Sequence, residues 1–198
     1  MKKKRGFNLK KEYKQSWKYI KESKNFIYIS IGIFFAFFIL AFFVSPTEEI
    51  LNYIFTFIQE LLEKTQGMSA TELISFIFIN NLKSSFFGMV FGIALGVFPI
   101  LALIANGYLL GFVSSLTVVE YGILSLWRIL PYGIFELPAI FISLGIGLKL
   151  GSFVFQKKKQ KSFRDFLLNS LRVFLFIVVP LLIIAGIIEG TLIYLLGN

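Results

Sequence analysis

The chain has 198 residues and a formal net charge of +9, with no cysteine and no histidine. Hydrophobic residues make up 57% and mean hydropathy is +0.79, so the remainder is too small to build a water-soluble surface. The two missing residue types exclude disulfides, thiolate nucleophiles, imidazole-ligated metals and Ser/His/Asp catalysis.

What remains is an all-α polytopic membrane bundle. Residues 1–198 form a single membrane domain with about five transmembrane helices and some interfacial amphipathic ones. At the start, Leu9, Tyr13, Trp17 and Ile20 fall at helical spacing while lysines fill the other face, which predicts an amphipathic helix on the cytoplasmic surface over residues 8–25. The first span, 26–44, has no small-residue cleavage site behind it and reads as a retained anchor. Crowded with Phe34, Phe35, Phe37, Phe38, Phe42 and Phe43, it is expected to be peripheral and lipid-facing.

An outer amphipathic helix is expected over 46–65. Ser45 is placed to cap it, Pro46 suits its first turn, and Glu48 and Glu49 suit its positive end. Ser69 and Glu72 have capping-box spacing, so the helix leading into span two is expected to start outside the bilayer. Spans two and three, 77–98 and 100–119, make a hairpin broken near Pro99. Spans four and five occupy 131–155 and 172–196, each close to the roughly 20 residues that a hydrocarbon core requires. Pro131 suits a helix start, whereas Pro138 and Pro180 lie inside spans and are expected to kink them.

Charge sets the orientation. Ten Lys or Arg precede the first span, and Lys157, Lys158, Lys159, Lys161 and Arg164 separate spans four and five. Both groups belong in the cytoplasm by the positive-inside bias. The stretch 45–73 carries Glu48, Glu49, Glu60, Glu63 and Glu72 against Lys64 alone, which suits the outside. The N-terminus is then cytoplasmic and the C-terminus external. The net charge reads as contact with an anionic inner leaflet, and nucleic acid is not expected as a partner.

Glycines recur at steps of four: Gly88, Gly92 and Gly96; Gly107 and Gly111; Gly147 and Gly151; Gly186 and Gly190. Such faces let backbones approach closely and are expected to mark helix contacts within or between chains, with a homo-oligomer, a dimer first, as the favoured state. Asn106 is expected to donate a hydrogen bond across helices, and Lys149 to snorkel toward the cytoplasmic surface.

Acids inside spans must be paired, hydrated or functional. Glu136 and Glu189 fall at similar depth below the outer face. Arg128, Glu120, Asn80 and Asn81 are expected nearby. The set reads either as a structural ion pair of Arg128 with one glutamate or as a polar cavity handling cations or protons. No metal or cofactor is expected.

NGYLLG at Asn106 to Gly111, PYGIFELPA at Pro131 to Ala139, GIGLKLG at Gly145 to Gly151 and IIEG at Ile187 to Gly190 together resemble the stage II sporulation protein M family of integral membrane proteins. The family's pattern around Glu136 usually reads Pro-His-Gly, and here Tyr132 stands in place of the His. The resemblance implies a membrane scaffold that localises peptidoglycan-degrading partners during engulfment. A non-enzymatic scaffold or assembly factor for membrane or cell-envelope partners is therefore expected. The alternative is a transporter, channel or lipid-moving protein with its polar site at Glu136 and Glu189.

Overall fold

The computed structural model describes residues 8–128 and 130–196, without the side chains of residues 127–132 and 196. The described residues are overwhelmingly helical and contain no strand. Helix α1 (Leu9–Glu22) is followed after one residue by α2 (Lys24–Phe43), then by α3 (Glu48–Thr65), α4 (Ala70–Val90) and α5 (Val97–Tyr121). Helix α6 (Leu130–Gly151) and the continuous pair α7 (Lys159–Val173) and α8 (Val179–Leu196) complete the chain. Five stretches are long and apolar enough to cross a membrane: Lys24–Phe43, Ala70–Ile93, Val97–Tyr121, Gly133–Phe155 and Lys159–Leu195.

Side-chain caps start three of these helices, α1, α3 and α4. Asn8 caps α1 by accepting from the Lys11 amide at 3.2 Å. Ser69 and Glu72 form a reciprocal capping box at the start of α4, with the Ser69 amide donating to Glu72 Oε2 at 2.8 Å. The cap of α3 is Thr47, two residues after the expected Ser45, because Pro46 lies before the helix and not in its first turn.

Glycine breaks the α4–α5 hairpin where proline was expected to. Helix α4 tightens into a 3-10 turn at Phe91–Ile93, and the chain then reverses through Leu95 (φ 57°) and Gly96 (φ 76°). Pro99 is the third residue of α5, in a first turn whose amides have no intrahelical acceptor, so its ring costs no hydrogen bond there. Gly92 and Gly96 therefore belong to the turn, and the expected run of three glycines along one helix ends at Gly88. Pro138 sits inside α6 with its ring exposed. Before Pro180 the helix widens into a π turn, Phe174–Val178. The extra residue opens the turn in which the proline ring would meet the carbonyl four residues back.

Helix α6 is the axis of the bundle, touching α2, α4, α5, α7 and α8. Two clusters fill the space around it. One gathers Met89, Ala139, Ile146, Val173, Val178 and Leu182, and the other gathers Phe34, Leu103, Phe141, Leu144 and Leu148. The first span is the least covered of the five, as expected, but not all of its phenylalanines face lipid. Phe34 is 1% exposed and packs edge-on against Phe141, while Phe35 and Phe43 do face outward. Its backbone is also where Gly107 and Gly111 of α5 dock, since a Cβ on either would collide with the Phe34 or Phe38 carbonyl. That close approach offsets what an apolar helix cannot gain by leaving lipid for protein.

Candidate functional site

The bundle carries two polar layers at opposite ends of α6, Glu136 near one and Lys149 near the other. Thirteen residues separate them in the sequence, about 20 Å at 1.5 Å per residue.

In the first layer, Glu136 of α6 and Glu189 of α8 lie within hydrogen-bonding reach of each other, both mostly buried. A hydrogen bond between two carboxyl groups uses a proton on one of them. Glu189 Oε2 is shut off from solvent, and among the described residues it finds no nitrogen or hydroxyl donor. Adjacent Gly190 seats α8 closely against α4 beside this pair. A Cβ there would strike the backbone of Ile74 in α4, and one on Gly186 would crowd Phe78.

Of the four other residues expected in this layer, three stand apart. Asn80 is exposed and Asn81 half-buried on α4, Glu120 is exposed near the end of α5, and none hydrogen-bonds to the acids among the described residues. The side chains of Arg128 and Pro131 lie outside the described residues, and with them the expected Arg128 pairing.

The second layer corrects the expectation for Lys149. It does not snorkel: at 7% exposed it is covered by α1 and α7. Its Nζ donates to Ser23 Oγ at 3.1 Å and stands 4.0 Å from the centre of the Tyr19 ring, with the Phe166 ring at 5.5 Å. Ser23 Oγ donates in turn to the Tyr19 carbonyl at 2.6 Å. Burial pushes the Tyr19 phenol up to about 12, with the nearby Ser170 hydroxyl pulling weakly the other way. Above the lysine, Arg172 Nε of α7 donates to Glu12 Oε2 of α1 at 2.6 Å, and its Nη1 to Asn169 Oδ1, also at 2.6 Å. The amphipathic N-terminal helix is therefore bolted to the bundle. A cleft of about 290 Å³ lined by Gln15, Lys18, Glu22 and Arg172 opens beside it.

Glycines hold α6 in place between these layers. A Cβ on Gly147 would meet the Met89 backbone and the Pro99 ring, and one on Gly151 would strike the backbone of the Gly92–Gly96 turn. Every glycine of the four-residue repeats, Gly88 through Gly190, has its near neighbour inside this chain. Buried serines reinforce the same contacts: Ser143 Oγ donates to the Ser85 carbonyl at 2.8 Å and Ser30 Oγ to the Phe141 carbonyl at 3.0 Å. Sequence reasoning passed over these serines, although Ser143, Gly147 and Gly151 continue the same four-residue step. Asn106, expected to reach another helix, instead returns its side-chain amide to the Ala102 carbonyl of its own helix at 2.8 Å.

No curated protein and no solved structure shows a significant match to the chain. The sequence profile of one family, described as Stage II sporulation protein M, matches residues 30–192, a stretch that holds both the acid pair and the buried lysine. The chain is accordingly a membrane protein of the stage II sporulation protein M family.

Proposed function

We propose that this protein is a non-enzymatic scaffold that assembles membrane or cell-envelope partners, with its N-terminus in the cytoplasm and its C-terminus outside. The observation that carries this reading is α3. None of its residues is buried, and Tyr53, Phe57 and Leu62 are 71%, 52% and 62% exposed although they belong to an amphipathic helix. Its aromatic link to the bundle is Phe55 against Phe112, with ring centres 6.3 Å apart. An amphipathic helix held this loosely is free to lie on the outer leaflet or against another protein. The orientation rests on the basic first helix, the basic Lys157–Arg164 stretch and an odd number of spans.

A second reading, transport through the acid pair, is favoured by the buried Glu189 oxygen that meets no donor among the described residues. Against it stands the filled axis of the bundle, where Phe34, Leu103, Ile146 and Leu182 are all less than 2% exposed.

Native electrophoresis of the protein extracted in mild detergent separates the two. The scaffold reading expects an assembly well above the 22.6 kDa chain. It also expects a variant with Phe57, Leu61 and Leu62 changed to Ser to shift that assembly downward while melting normally. A chain that runs alone, and in liposomes passes ions or lipid in a manner abolished by Glu136→Gln, overturns it.

A further inference from the structure

Lys83 lies on α4, thirteen residues from Ala70 and ten from Ile93 at the two ends of its span. At 1.5 Å per residue that is about 20 Å and about 15 Å, the middle of the membrane whichever way the chain is oriented. Its side chain is exposed, and among the described residues it has no hydrogen bond, ion pair or ring contact. Asn80 and Ser84 are exposed beside it, and Phe87, at 49% exposed, continues the stripe. The opposite face of the helix, through Ile74, Phe78, Ser85 and Met89, is the one that packs on α6 and α8. A cation facing acyl tails at mid-depth is expensive and is normally paired, hydrated or covered.

We infer that the Asn80–Lys83–Ser84 stripe is the seat of a transmembrane helix from a different protein, one that carries a carboxylate near its midpoint. Charge complementarity selects this occupant. Lipid phosphates lie at the surfaces, farther from mid-span than a lysine stem reaches. Among the described residues a second copy has no free acid at that depth, because Glu136 and Glu189 face each other inside the bundle and Glu72 and Glu120 lie at the ends of their spans. A two-fold pair through this face would moreover set one Lys83 against the other. The flanking asparagine and serine add hydrogen bonds across helices, and Phe87 and Phe91 provide the apolar margin. This deepens the scaffold reading by giving the chemistry of a partner, and it is tested without knowing that partner.

The test co-expresses the full chain with a single-span polyleucine helix carrying Asp at its midpoint, and reads association in the membrane by energy transfer between fused fluorophores. Probes with Leu or Lys at the same place serve as controls. The Asp probe is expected to associate roughly fivefold better than the Leu probe. That gain disappears in Lys83→Met and survives in Lys83→Arg, and the Lys probe falls below the Leu probe. Equal association of the Asp and Leu probes, or an Asp gain that persists in Lys83→Met, overturns the inference. Because the chain has no cysteine, Ser84→Cys supplies a second arm in native membranes, with Ile184→Cys on α8 as control. A disulfide-linked dimer of this chain specific to Ser84→Cys would give the face to a second copy and also overturn the inference. The scaffold reading fails on a different result, a chain that runs alone and passes ions or lipid in liposomes in a manner abolished by Glu136→Gln.

Discussion

Lys149 and Lys83 each interrupt an apolar span, and the chain surrounds them in opposite ways. Around Lys149 it folds an extra helix from the N-terminus and the first part of the last one, α7, so that the amine meets a hydroxyl and two ring faces. Lys83 has no hydrogen bond, ion pair or ring contact among the described residues. Both positions look alike in a hydropathy plot. What separates them is coverage, and coverage decides whether a charge is part of the fold or part of a contact surface.

The strongest way to break the comparison is to displace the helix that carries the covered lysine. Gly147→Val puts methyls where the Met89 backbone and the Pro99 ring already stand, and backbone cannot step aside as a side chain can. We expect a loss of about 3 kcal/mol, read as a large fall in melting temperature in detergent. Removing the amine itself comes next. Lys149→Ala leaves a void under α1 and deletes both the hydrogen bond to Ser23 and the ring contacts, for a loss of about 2 kcal/mol. An unchanged melting temperature would mean that the cage contributes nothing to stability.

The cover can also be loosened without touching the lysine. Arg172→Gln breaks the bridge to Glu12, whose partly buried side chains keep some solvent access, so about 1 kcal/mol is expected. Its clearest readout is local: trypsin should cut at the lysines of α1 sooner than in the parent protein, with the spans still protected. Tyr19→Phe is milder. It keeps a ring under the amine and loses a hydroxyl whose bond to the Phe166 carbonyl is long, at 3.5 Å, so about 0.5 kcal/mol is expected. Because the folded protein holds the phenol proton more tightly than the unfolded chain, the stability linked to Tyr19 is complete below pH 10. It is lost as pH rises through the folded value of about 12. The tyrosinate absorbance difference between parent and Tyr19→Phe should accordingly rise near pH 12, and a midpoint near 10 would show that the ring is not buried.

Five spans and their approximate places were legible in the sequence because length and hydropathy alone specify them. The glycine steps and the capping box at Ser69 were visible for a similar reason, as each is a local pattern with a local cause. The ends were less clear. Pro99 drew attention from Gly96, whose positive φ makes the turn, since proline is as welcome in a first helical turn as it is disruptive in a later one. The fate of Lys149 could not be read at all. Half of its cover, Tyr19 and Ser23, comes from well over a hundred positions earlier in the chain, and a lysine near a span end snorkels unless something lies across it. The Glu136–Glu189 contact needed only two helices to be neighbours, whereas the wider cluster also required α4 and α5 to turn their polar residues inward. Asn80 and Glu120 face outward instead.

The smallest effect sharpens the comparison most. If Lys83 serves a contact outside the chain, then Lys83→Met removes nothing from the isolated fold, and melting in detergent should move by less than about 0.5 kcal/mol. Set beside Lys149→Met, which keeps most of the side-chain volume but still deletes the amine from its cage, the pair isolates the charge at two places in one bundle. A substantial loss at Lys149 with none at Lys83 is what coverage requires. A loss at Lys83 as large as that at Lys149 would mean that the exposed amine already has an intramolecular role, and the argument for an external acid would then have no unpaired charge to start from.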